Sequence, residues 1–235
     1  MPSKNALKEY EPGGYYHIYN RGVNKRLIFK DAKDYSTFLS YLQFYLSPPP
    51  PDLQGVSSQA QTIHTPPSKQ LKNYAGEIKL LAYCLMPNHF HLMVKQTSEY
   101  GINYFMRSLC TKYARYFNTR YKRVGHLFQD TYKAVRIENE YQFTYLTKYI
   151  HRNPLDLPAF KESPRRPASP TGGLVDYKYS SYANYLHLFQ QPWVSIEDIL
   201  SYFSKTNPRL SYQNFVEGSE PDDITVIAKI TLDIG

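Results

Sequence analysis

Two apolar runs of strand length, Ile78–Met86 (IKLLAYCLM) and His89–Val94 (HFHLMV), flank the pair Pro87-Asn88. Proline and asparagine supply turn chemistry, so the two runs read as a hairpin in the core of a sheet. The rest of the chain must then provide further strands and the layers that cover them. The second run also carries His89 and His91 two residues apart. Side chains at i and i+2 of a strand leave the same face, so both imidazoles point one way and Phe90 the other. Two neutral imidazoles side by side can ligate a divalent metal, but two ligands are too few, and a third must come from elsewhere.

Tyr15–Arg21 (YYHIYNR) alternates well enough for a first strand, with Gly13 and Gly14 at its entry. Between Asp31 and Leu46, the residues Tyr35, Phe38, Leu39, Leu42 and Leu46 recur at helical spacing, with Asp31 as the expected cap. Residues 47–73 break the pattern with Pro48 to Pro51 and Pro66-Pro67 among Ser, Gln and Thr, an insertion with little reason to pack. Beyond the hairpin, Ile102, Phe105, Met106, Leu109, Tyr113 and Phe117 set a helix over 100–121. Residues 131–137 read as a strand and 138–149 as a helix that ends at Asn153-Pro154. A second Pro-rich segment, 157–173, serves as a linker to a C-terminal extension, 174–235, with helical stretches at 182–189 and 195–203. The order matches a ferredoxin-like α+β domain over 1–156, an antiparallel sheet with helices on one face. His89 and His91 are expected on the face that the last helix reaches.

Charge narrows the partners. With 28 Lys and Arg against 20 Asp and Glu, the chain carries a net charge of +8, which favours a polyanion, nucleic acid being the commonest. The 24 Tyr and 12 Phe interleaved with these cations suit stacking on unpaired bases, although packing is the commoner role of any one tyrosine. Two cysteines, Cys84 and Cys110, provide neither a disulfide framework nor a Cys-rich zinc site, which fits a reducing cytosol. The opening MPSKNALKEYEPGG lacks the apolar core of a signal peptide, and no run is long enough for a membrane span. A soluble cytoplasmic protein is expected.

The search for a third ligand leads to KYIHRNP, residues 148–154. Tyr149 and Asn153 lie four apart, on one helix face with about 6 Å of rise between them, and His151 points roughly the other way. Asn153 is a candidate ligand through its amide oxygen, and Tyr149 a candidate nucleophile one turn away. Two His nitrogens and one amide oxygen, with other positions open, suit Mg²⁺ or Mn²⁺ acting on a phosphodiester. Each piece has a plainer reading: a structural H-x-H pair, a core tyrosine, a helix stop. Their conjunction in a basic chain favours a site. No carboxylate or histidine is expected nearby as a general base, which ranks a metal-activated water below a tyrosine nucleophile.

MPNHFHLMV and KYIHRNPL, with YHIYNRGVNKRLIF and KYARYFNTRYKRVGHLFQDTYKA, resemble the single-tyrosine HUH transposases, specifically the branch associated with repetitive extragenic palindromes. The resemblance covers about Tyr15 to Leu155 apart from 47–73, with a looser extension to VDYKYSSY. It implies the HUH endonuclease fold, His89, His91 and Asn153 as ligands of Mg²⁺ or Mn²⁺, and Tyr149 as nucleophile. The implied reaction is cleavage and rejoining of single-stranded DNA beside a hairpin, through a 5′-phosphotyrosine. Phe128, in Leu127-Phe128-Gln129, and Tyr179 stand where the family usually has tryptophan, so an altered DNA fit with intact chemistry is expected. Single-stranded DNA with hairpins or palindromic repeats is the implied partner, for a monomer or homodimer associated with the nucleoid.

Arg115, Arg120, Lys122, Arg123, Lys133 and Arg136 are candidate phosphate contacts, with solvated charge as the even alternative for each. Tyr113, Tyr116 and Phe128 are candidates for base stacking, with core packing expected for at least two. Two further readings stand behind the transposase: a DNA-binding module that acts as repressor or recruiter without catalysis, and a metal hydrolase in which Tyr149 only packs.

Overall fold

The computed structural model describes residues 10–49, 73–161, 173–207 and 210–218. Strands β1 (Tyr15–Arg21), β2 (Ile78–Met86), β3 (His89–Gln96) and β4 (Lys133–Arg136) form one antiparallel sheet in the order β2-β3-β1-β4. Helix α1 (Ala32–Leu46) joins β1 to β2, β3 lies between those two strands, and α2 (Gly101–Arg120) joins β3 to β4. This is the expected ferredoxin-like α+β order. Asp31 caps α1 as expected, its carboxylate accepting the N–H groups of Lys33 and Asp34. Most of the insertion at 47–73 and of the linker at 157–173 lies outside the described residues.

The sheet is covered on both faces. Ile18, Leu80, Phe90, Leu92 and Val94 face α1 and α2, where Phe38, Leu42, Phe105, Leu109 and Tyr113 are fully buried. On the other face Met93, Cys84 and Met86 meet Leu146 and Ile150 of helix α3 (Glu140–Arg152). Helices on one face only therefore describes α1 and α2, while α3 lies opposite. The physical reason is the apolar run of β2 and β3, buried on both faces, each such side chain being worth about 1.5–3 kcal/mol.

A register slip in β2 between Leu80 and Ala82 shifts the alternation by one residue. Leu80 and Tyr83 face α1 and α2, whereas Leu81, Ala82, Cys84 and Met86 face α3. Cys84 thereby lies opposite His91, and Met86 opposite His89.

After a helical turn, α4 (Pro158–Lys161), the tail covers the free edge of β2. Leu85 N–H donates to Tyr179 O at 2.9 Å, Ser181 N–H to Tyr83 O at 3.0 Å, and Ser195 N–H to Leu80 O at 2.8 Å. Its helices α5 (Tyr182–Tyr185) and α6 (Glu197–Leu200) are shorter than the expected stretches 182–189 and 195–203, and a further helix, α7 (Tyr212–Glu217), stacks Tyr212 on Tyr185. No described helix is long and apolar enough to cross a membrane.

Candidate active site

The pairing of β3 with β1 sets His91 opposite Tyr19 and His89 opposite Arg21, on the face toward α3. Their rings lie 5.0 Å apart at 88°. His89 Nδ1 is 2.6 Å from Asn88 Oδ1, an atom that only accepts, so Nδ1 carries the proton and Nε2 a lone pair. His91 Nδ1 is 2.9 Å from Nε2 of the fully buried His17. Nε2 of both His89 and His91 is buried without a hydrogen-bond partner among the described residues. An unsatisfied buried polar atom ordinarily costs about 1–3 kcal/mol, so two together call for a bound group. Burial lowers the His89 pKa to about 4 and holds that of His91 well below its usual value, so both rings are neutral at physiological pH.

Helix α3 supplies the other half. Its N-terminus is capped by Asn139, whose side chain accepts the Gln142 N–H at 2.8 Å. Pro154 has no N–H to continue the α pattern, yet Asn153 keeps α dihedrals and the chain tightens into a 3-10 turn, Asn153–Asp156. Asn153 thus stays one turn above Tyr149, its Nδ2 donating to Tyr149 O at 2.8 Å. That bond leaves the Asn153 Oδ1 as an acceptor. The Asn153 side chain is near enough to raise the pKa of both histidines and to lower that of Tyr149, without satisfying either Nε2.

The Tyr149 ring stands edge-on to His91, with centroids 5.4 Å apart at 89°. Burial, opposed by Asn153, pushes its phenol up to about 12. It is protonated at neutral pH and needs help to become a nucleophile. His151 points away, as expected, its Nδ1 2.6 Å from the Tyr212 hydroxyl and its Nε2 2.8 Å from Ser181 Oγ.

Two bare imidazole nitrogens beside an amide oxygen fit a divalent cation. Among the described residues no three His, Cys, Asp or Glu side chains group to hold a metal, and the Asn153 amide oxygen is a donor of another type beside the pair. Burial also raises the Cys84 thiol, which is therefore protonated at neutral pH.

No histidine or carboxylate is expected near the motif as a general base, and the structure does bring one of each close to it. His17 touches His91, and Asp156 is close enough to raise the pKa of both His89 and Tyr149. Arg21 adds a positive charge beside His89. The alternation of YYHIYNR already places His17 on one strand face with Tyr19, but only the β1–β3 register brings it against His91.

The candidate phosphate contacts divide. Arg120 is held by Asp31 and Asp34, each at 2.6 Å, and Arg136 by Glu11. Arg115 and Lys122 are exposed, Arg123 donates to Asn118 Oδ1 at 2.8 Å, and Lys133 lies 6.0 Å from the Tyr19 ring on the site face. Tyr113 is fully buried and donates to Ile28 O, Phe128 packs against Phe90, and Tyr116 donates to Asp34.

Residues 61–153 match the family model described as Transposase IS200 like. No curated protein matches the chain. Among solved structures, the chain is similar to a REP-associated tyrosine transposase bound to a REP hairpin, at 13% identity and TM-score 0.46, covering 82% of this chain and 91% of that one. It is also similar to a candidate transposase from Deinococcus radiodurans R1, at 15% identity and TM-score 0.34, covering 65% of this chain and 96% of that one. The segment that carries His89, His91, Tyr149 and Asn153 is thus the part of the chain that is similar to the IS200-like transposases.

Proposed function

We propose that this chain is a transposase, a metal-dependent single-stranded DNA endonuclease and strand transferase of the branch associated with repetitive extragenic palindromes, acting in the cytoplasm on DNA beside hairpins. The observation that carries this reading is the pair of buried, partnerless Nε2 atoms on His89 and His91, with Tyr149 edge-on to His91 and Asn153 one turn above it. His89, His91 and Asn153 would hold Mg²⁺ or Mn²⁺, which when bound supplies Lewis-acid polarisation of the scissile phosphate and favours the phenolate.

The chain's own residues do the rest. Asn88 and His17 fix the ligand rings, and α3 aims the phenol. Tyr149 Oη attacks phosphorus, the bond from phosphorus to O3′ breaks, the phenol proton passes to solvent, and the leaving oxygen takes a proton to become a 3′-hydroxyl. The 5′-phosphotyrosine keeps the energy of the diester, so a 3′-hydroxyl rejoins the strand by the reverse attack without a nucleotide cofactor. With one nucleophile in each chain, that attack comes within a monomer or across a homodimer.

The test is to incubate wild type and Tyr149→Phe with Mn²⁺ and labelled single-stranded DNA hairpins, then separate the products on a denaturing gel. A protein-linked DNA band given by wild type alone and abolished by EDTA is expected. Tight hairpin binding with no adduct in Mn²⁺, or in Mg²⁺ used in its place, would leave a DNA-binding repressor or recruiter instead.

A further inference from the structure

The loop that follows β1 and the turn that follows α2 form one structure beside the site. Gly22 N–H donates to Asn88 O at 2.8 Å, Val23 N–H to Leu127 O at 3.0 Å, and Gly22 bridges to Phe128. Gly22 admits no side chain, because a Cβ there would collide with the Arg26 carbonyl. Asn24, Lys25 and Lys122 all adopt left-handed φ values, of 54°, 57° and 49°. Such backbone is uncommon for lysine and persists where surrounding bonds enforce it. Asn118 does so at the second turn, donating to Gly125 O at 2.8 Å while its Oδ1 accepts from Arg123.

These turns concentrate cations. Lys25 and Lys122 are exposed, and Arg26 and Arg123 are partly so. Among the described residues no carboxylate pairs with any of the four, unlike Arg120 and Arg136. Arg26 and Arg123 sit close enough that, after desolvation, the Arg26 charge helps to lower the Arg123 pKa. A fold that holds like charges together on strained turns leaves them to be neutralised by a ligand. The patch is also tied to the site: Asn88, whose Oδ1 accepts from His89, donates through Nδ2 to Lys25 O at 3.4 Å.

We propose that Lys25, Arg26, Lys122 and Arg123 form the track that grips the phosphate backbone of the single strand as it runs to or from His89 and His91. The proposal rests on the single-stranded DNA reading above and adds Lys25 and Arg26 to the interface. Cations on two turns, fastened through Asn88 to a ligand ring, fix the distance between gripped phosphates and the cleaved one. Grip and chemistry thereby share one rigid support.

The test measures binding of a labelled oligothymidylate, which offers backbone without a hairpin, to the full chain across a salt series. The variant carries Lys25→Gln, Arg26→Gln, Lys122→Gln and Arg123→Gln. A control carries Lys33→Gln, Lys79→Gln, Lys178→Gln and Lys205→Gln, which removes the same charge from exposed lysines on other elements. For single strands each lost phosphate contact lowers the slope of log affinity against log salt by about 0.7, so the patch variant should lose roughly 2–3 in slope and the control little. Circular dichroism establishes that each variant is folded. An unchanged slope, or an equal loss in the control, overturns the proposal. So does weakening seen only with a hairpin probe, which would place the patch on a duplex stem. Binding is read without cleavage, so an absent Tyr149 adduct refutes the catalytic reading and leaves this result standing.

Discussion

His17 Nε2 and His91 Nδ1 lie 2.9 Å apart, both fully buried, with rings stacked at 14°. The contact fixes the His91 ring and, when His91 donates, leaves Nε2 as a lone pair toward α3. His17→Ala should weaken Mn²⁺ binding by about 10–100-fold, the usual effect of losing the partner of a ligating histidine. His17→Gln, whose amide oxygen can accept the same proton, should recover part of that loss. Electron paramagnetic resonance of free Mn²⁺ reads both, and equal affinity in wild type and His17→Ala would remove the orienting role.

Asn153 is tested by separating its oxygen from its nitrogen. Asn153→Ala removes Oδ1 and should lower Mn²⁺ affinity at least tenfold, with a parallel loss of the protein–DNA adduct. Asn153→Asp keeps an oxygen and adds charge, so it should hold the cation while losing the 2.8 Å bond from Nδ2 to Tyr149 O. Titration calorimetry with Mn²⁺ distinguishes the two. Unaltered affinity in Asn153→Ala would mean that the third ligand is another group.

Arg120 and Asp34 make the opposite case, a cation whose work is in the fold. The Asp34 side chain is fully buried and accepts from Arg120 at 2.6 Å, Tyr116 at 3.0 Å, Tyr121 at 2.9 Å and the Lys30 N–H at 2.8 Å. Arg120→Ala leaves that carboxylate without its cation and should lower the urea midpoint of unfolding. The salt dependence of DNA binding should stay that of wild type. A lower salt slope with unchanged stability would restore Arg120 as a phosphate contact.

The contrast between Arg120 and Lys25 shows what a sequence can carry. Helical spacing in α1 and α2, the β2–β3 hairpin and the i, i+4 relation of Tyr149 to Asn153 are local, and the residues state them directly. Which face α3 covers depends on β2 and β3 being apolar on both sides, and on the slip at Leu80–Ala82 that no alternation reveals. His17 meets His91 only through strand register. Arg120 resembles any exposed cation in a basic helix until Asp31 and Asp34 fold against it. Long-range pairing separates the legible residues from the others.

His151 gives the acid sensitivity of the fold. It is fully buried between α3 and the tail, bonded to Tyr212 and Ser181, and burial lowers its pKa to about 3. In the unfolded chain the value is about 6.5, so between those limits the unfolded state binds one more proton than the native state. The stability from the neutral, buried ring is therefore complete above about pH 6.5 and is lost as pH falls toward 3, at about 1.4 kcal/mol per unit. His89, lowered to about 4, acts with the same sign. His151→Gln replaces the ring with a group that does not titrate, so whatever its stability at neutral pH, the fall in urea midpoint toward about pH 5 should be shallower by close to one proton. A slope equal to that of wild type would mean that His151 is already solvated in the native state, and that the tail does not seal α3.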